Sequence, residues 1–152
     1  MSIKKIQILF FISAIGIFSS LLTAQEEAFL QEKDGRNSES VIHSIFNEIE
    51  SGISSGDVSS ISRFFSGQIY LNLSNGTTGY YSSNQAYYVL EDFFKNYQET
   101  AFSFDNVQLD EANPYGTGGY QYIFKGKHET AQVYISLKHV GKNWKITQIT
   151  IN

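Results

Sequence analysis

The chain has 152 residues and a formal net charge of -4, from 11 Lys and Arg against 15 Asp and Glu. Aromatic residues make up 15% of it (12 Phe, 10 Tyr, 1 Trp) and charged residues only 17%, a balance that can fill a core and excludes a wholly disordered chain. The absence of Cys excludes disulfides, thiolate metal sites and cysteine nucleophiles, and the single Pro and acidic balance argue against a Pro-rich scaffold or a nucleic-acid binder.

Lys4 and Lys5 precede an apolar stretch from Ile8 to Phe18, and Leu22, Thr23 and Ala24 offer a small-residue cleavage site before Gln25. That order describes a secretory signal peptide. The apolar stretch falls short of the about 20 residues a spanning helix needs, and Ser13, Ser19, Ser20 and Thr23 interrupt any longer count. The expectation is a signal peptide over residues 1–24 and a periplasmic or secreted product. It is not a lipoprotein, and it has no stable membrane insertion after cleavage. A retained anchor is the alternative. Losing Lys4 and Lys5 makes the remainder more acidic still, which disfavours anionic membranes and nucleic acid. Residues 25–36 are mostly polar, with Glu26, Glu27, Glu32, Lys33, Asp34 and Arg36, and read as a mobile lead-in to a domain over 37–152.

From Asn37 the period turns helical. Val41, Ile42, Ile45, Phe46, Ile49 and Ile53 form one apolar stripe, and Gly52 with Ser54-Ser55-Gly56 ends it. Asp57 can cap a short second helix whose Val58, Ile61, Phe64 and Phe65 share a face. A strand follows, with Ile69, Leu71 and Leu73 alternating against Gln68, Tyr70 and Asn72, and Ser74-Asn75-Gly76-Thr77 turns it. After a short strand or loop, Ser82 and Gln85 form a capping box for a third helix with Ala86, Val89, Leu90, Phe93, Phe94 and Tyr97 on its apolar face.

Beyond Glu99 the period drops to two. Strands are expected over 100–109, 119–125, 129–138 and 143–152, with Asn113-Pro114-Tyr115-Gly116-Thr117-Gly118-Gly119 as a long hairpin loop. Two strands switch parity partway: Phe102 and Phe104 give way to Val107 and Leu109, and Trp144 and Ile146 to Ile149 and Ile151. A strand that keeps one face buried does this only with an extra residue, which places β-bulges near Asp105-Asn106 and Thr147-Gln148. The order predicts an α+β fold, with helices in the hollow of a bent, mainly antiparallel sheet.

The run Gly56-Asp57 to Phe64-Phe65, the helix Gln85–Tyr97 with its Phe93-Phe94 pair, and the ending Lys142-Asn143-Trp144-Lys145-Ile146 resemble the NTF2-like (cystatin-like cone) superfamily. More narrowly, an exported chain of this size and order looks like the bacterial DUF4783 family, over about residues 38–152. The resemblance implies three N-terminal helices packed in the concave face of a strongly curved sheet, a conical pocket between them, and a homodimer through the outer sheet face. It implies no reaction, because this superfold hosts enzymes, binders and assembly modules alike.

Motifs for chemistry are sparse. His43, His128 and His139 have neither the helical nor the strand spacing of a zinc site. Asp110-Glu111 resembles half of a calcium site without the alternating oxygen ligands. Gly116-Thr117-Gly118-Gly119 lacks the following Lys and helix of a phosphate loop. There is no Gly-x-Ser-x-Gly elbow. Asp105, at an expected bulge, is the weak catalytic candidate: isomerases of the superfamily use an interior carboxylate with a Tyr partner, and Tyr70, Tyr122 and Tyr134 are available. No cofactor and no metal are expected.

The aromatics say most. Tyr134 opposes a core face of Ala131, Val133, Ile135 and Leu137, and Tyr70 opposes Ile69 and Leu71, so both point outward as sheet fillers or as a contact surface. Tyr120, Tyr122 and Phe124 share a face that periodicity leaves open. If it is the inner one, they and Trp144 line a pocket suited to a small apolar or amphipathic ligand. The expected function is therefore an exported, non-catalytic module that binds such a ligand or mediates assembly. An isomerase- or dehydratase-like enzyme and a structural dimer with a filled cone are the alternatives.

Overall fold

A computed structural model describes residues 37–109 and 112–152, with Glu99 through its backbone only. The expected signal peptide and lead-in, and the Asp110-Glu111 pair, lie outside the described residues. Residues Glu39–Asn152 form one compact unit, and the architecture below is that of this unit. Among the described residues no helix is long and apolar enough to cross a membrane.

Helix α1 covers residues 37–54, and its buried side is Ile42, Ile45, Phe46, Ile49 and Ile53. Val41, expected on the stripe, is 46% exposed. The buried arc starts at Ile42, and Val41 stands about 100° before it around the axis. Gly56 ends the helix at φ 65, a conformation that favours glycine, with its N–H on the Ile53 carbonyl at 3.0 Å. Gly52 is inside α1 because a Cβ there would overlap the Ile61 side chain, so the turn of α2 (Val58–Ser62) packs directly on it. Asp57 caps α2 by accepting the Ser59 N–H at 2.9 Å.

The second helix is shorter than the periodicity suggested. Phe65 does not continue its apolar face but opens strand β1 (Phe65–Leu73), because it pairs with Ile146 of the last strand. Strand β2 (Thr78–Ser82) returns antiparallel to β1. Ser82 then caps α3 (Ser83–Asn96) in a capping box with Gln85. Helix α3 buries Ala86, Leu90, Phe93 and Phe94. Strands β3 (Gln98–Gln108), β4 (Tyr115–Phe124), β5 (Lys127–Val140) and β6 (Asn143–Ile151) complete the chain. The six strands form one sheet in the order β2-β1-β6-β5-β4-β3, antiparallel except for the parallel β1–β6 pair.

Both expected bulges are present. Phe104 pairs with Gly118 and Asn106 with Thr117, leaving Asp105 as the extra residue. Ser136 pairs with Gln148 and Leu137 with Ile146, leaving Thr147 as the other. A further shift lies between Glu99 and Ala101. Extra residues bend and twist a strand, and the helices fill the resulting hollow. Ser54 Oγ donates to the Phe102 carbonyl at 3.0 Å, and the rings of Phe46 and Phe104 meet edge to face at 5.4 Å. The core runs from α1 and α3 through Ile69, Leu71, Val133, Ile135, Ile146 and Ile149.

The expected Asn113–Gly119 loop is a correction. Strand β4 begins at Tyr115, and Gly116, Gly118 and Gly119 are paired on both sides. A Cβ at Gly116 would sit 2.7 Å from the Phe104 ring, and one at Gly118 would overlap the Ser103 carbonyl oxygen. Gly116 and Gly118 serve close packing against Ser103 and Phe104 of β3 beside the Asp105 bulge, not loop flexibility.

Candidate functional site

Tyr120 and Tyr122 face the hollow of the sheet, on the same side of β4 as Gly116 and Gly118. Tyr120 is fully buried. Its hydroxyl donates to the Tyr97 carbonyl at 2.7 Å, and the rings of Phe93, Phe94, Phe102 and Tyr122 surround it at 5.5 to 6.4 Å. Tyr97 lies stacked between Phe93 and Phe124, with centroids 4.5 Å away on each side. Phe124 is half-buried against this cluster, and Lys125 Nζ stands 5.0 Å from its ring centroid. Trp144 is buried too, but elsewhere: it pairs with His139 on β5, whereas Tyr120 pairs with Ala131. The Trp144 and His139 rings meet edge to face at 4.9 Å. The structure thus brings Tyr120, Tyr122 and Phe124 together and leaves Trp144 apart.

Asp105 is exposed at its bulge. Of the tyrosines weighed with it, Tyr122 faces inward and Tyr70 and Tyr134 outward, so the three do not converge on one carboxylate. The carboxylate that does reach the bend is Glu50 on α1, whose Oε2 accepts the Phe104 N–H at 2.7 Å. Sequence reasoning passed over Glu50. The available signal was its place one turn after Phe46, on the margin of the apolar stripe. His43 is exposed and pairs with Asn47 at 3.2 Å; His128 and His139 are exposed on β5. Among the described residues no three His, Cys, Asp or Glu side chains gather into a metal-holding group.

The outer face carries a groove of about 540 Å³, lined by Gln68, Tyr70, Tyr80, Asn113, Tyr134, Ser136, Lys138, Thr147 and Gln148. Its floor is one row across four strands, which continues beyond the lining to Tyr115 on β4. Tyr80 on β2 pairs with Tyr70 on β1, Tyr70 with Gln148 on β6, Gln148 with Ser136 on β5, and Ser136 with Tyr115 on β4. At one end the Tyr70 and Tyr80 rings meet at 5.1 Å. At the other the Tyr115 and Tyr134 rings stack at 5.5 Å with 28° between planes. Between the two ring pairs, the Thr147 bulge puts two consecutive polar side chains, Thr147 and Gln148, into the groove. Thr147 Oγ1 and Ser136 Oγ are hydrogen-bonded at 3.3 Å, and Gln148 Nε2 donates to Thr150 Oγ1 at 3.2 Å. Periodicity assigned Tyr70 and Tyr134 to this outer face. The bulge and the register bring them to a common groove.

Residues 46–152 match the family described as Domain of unknown function (DUF4783). The chain is similar in structure to a DUF4783 family protein from Bacteroides uniformis, with a TM-score of 0.64 and 14% identity, over 70% of this chain and 94% of that one. A DUF4783 family protein from Bacteroides ovatus matches with a TM-score of 0.61 and 16% identity, over 68% and 90% of the two chains. A cystatin-like domain of unknown function from Nostoc punctiforme matches with a TM-score of 0.58 and 14% identity, over 76% of each. No curated protein matches the sequence. Identities this low speak for the fold, which is the α+β NTF2-like cone. The match over residues 46–152 makes the chain a member of the DUF4783 family.

Proposed function

We propose that this protein is an exported, non-catalytic module that works by binding a small amphipathic ligand, and that the tyrosine-lined groove on the outer sheet face holds it. The observation that carries this reading is the arrangement of the groove, with ring pairs at both ends and amide and hydroxyl groups between them. Ligand sites combine apolar surface with placed polar groups, and here three tyrosines stand among six polar side chains. Its nine lining side chains include one amine, Lys138, and otherwise phenols, amides and hydroxyls. In this reading Tyr120, Tyr122, Phe124 and Trp144 build the interior, in keeping with their burial.

Assembly through the same face is the second reading, supported by Tyr80, which is 70% exposed at the groove's edge, since tyrosine is enriched where proteins meet. The experiment is a crystal structure of the protein purified from its own host, with the groove's contents identified. Ligand density over Tyr70 and Tyr134 is the expected result. A ligand enclosed beside Tyr120, or a second copy filling the groove, overturns the ligand reading.

A further inference from the structure

We infer that the groove is a carbohydrate site, taking a neutral oligosaccharide whose ring faces lie on the two tyrosine pairs; this rests on the binding reading above. A pyranose ring is amphipathic in a particular way. One face presents C–H groups and its rim presents hydroxyls, so it needs an aromatic surface beneath and hydrogen-bonding groups in its own plane. An aromatic face is electron-rich and attracts the polarised C–H groups. The groove carries the Tyr70 and Tyr134 rings in its lining, and the polar residues between them are of the matching kind. A primary amide carries both donors and an acceptor, as does each sugar hydroxyl with its neighbour, and Gln68 and Gln148 supply amides beside Ser136 and Thr147.

Charge and polarity narrow the class further. Lys138 is the one charged side chain of the lining, so a cation would meet repulsion. An anion would find a single exposed partner on a chain of net charge -4. A wholly apolar ligand would strip water from the amides and hydroxyls without returning hydrogen bonds, which is costly. Length follows from the sheet. Tyr70 on β1 and Tyr134 on β5 have β6 between them, and two strand spacings are about 10 Å. One sugar ring cannot lie on both pairs, so the occupant is an oligosaccharide.

The test is isothermal calorimetry of the purified chain with short malto-, xylo- and chito-oligosaccharides. One of these binds, and Tyr134→Ala and Gln148→Ala each weaken it about tenfold, the value of one good contact. Tyr88→Ala, on α3 and 67% exposed outside the groove, leaves the affinity unchanged. Equal melting temperatures of the variants exclude misfolding as the cause. Binding that neither groove variant weakens overturns the assignment, as does the absence of binding by all three sugar classes. In that last case sedimentation separates the two readings. If Tyr134→Ala turns a dimer into a monomer, a second copy occupies the groove and the ligand reading falls with the sugar assignment. If the parent protein is a monomer, the sugar assignment alone falls, and the groove's contents in protein from its own host decide the ligand reading.

Discussion

Glu50 Oε2 accepts the Phe104 backbone N–H at 2.7 Å, joining α1 to the strand at its bulge across 54 residues of sequence. The bulge interrupts the ladder between Phe104 and Asn106, and a bulge leaves backbone groups that the neighbouring strand does not serve. Glu50 supplies the acceptor, so the bend and the helix that fills it are fixed together. Glu50→Ala leaves a part-buried N–H unsatisfied and costs about 1–3 kcal/mol. Glu50→Gln retains an acceptor and recovers part of it. Chemical denaturation of both variants checks the order.

Two neighbouring glycines of β4 predict opposite outcomes. A Cβ at Gly118 overlaps the Ser103 carbonyl, whereas one at Gly119 meets nothing within 4 Å. Gly118→Ala therefore forces β3 and β4 apart and falls at the upper end of the about 1–3 kcal/mol that overpacking costs. Gly119→Ala stays within about 0.5 kcal/mol of the parent protein. Thermal melts of the two variants decide it.

These glycines also mark where the sequence is hard to read. Periodicity found both bulges because apolar side chains on either side of Asp105 and Thr147 change parity. It missed the start of β4 because Gly116 and Gly118 have no side chains to alternate, and a Gly-rich run reads as a turn. Their even numbering, in step with Tyr120 and Tyr122, was the legible trace. The face of Tyr120 depended on that same strand and so stayed open. The groove was legible only as two outward tyrosines. Its row depends on the parallel pairing of β1 with β6, which joins the first strand to the last and has no local signal.

Tyr120 buries a hydroxyl on the Tyr97 carbonyl, at the point where α3 hands over to β3. Tyr120→Phe keeps the ring packing and removes the donor, at a cost of about 1–3 kcal/mol. A fall in the denaturation midpoint at unchanged slope is the expected signature.

Trp144 is 8% exposed on the inner face of β6. Its emission from the folded protein is expected to be blue-shifted and poorly quenched by iodide. Trp144→Ala costs about 3–5 kcal/mol, a large share of the about 5–15 kcal/mol that holds a domain folded. Loss of the cooperative melting transition, or its shift to a much lower temperature, checks this. Readily quenched emission would place the ring in water instead.

The central claim is that the outer face of the sheet, and not the aromatic interior, is where this protein meets its ligand. The most direct measurement is amide NMR shift mapping while the short malto-, xylo- and chito-oligosaccharides are added in turn. The account predicts shifts concentrated at Tyr70, Tyr134, Ser136, Thr147 and Gln148, with Phe93, Tyr97 and Tyr120 unmoved. Shifts concentrated at Phe93, Tyr97 and Tyr120 would contradict it.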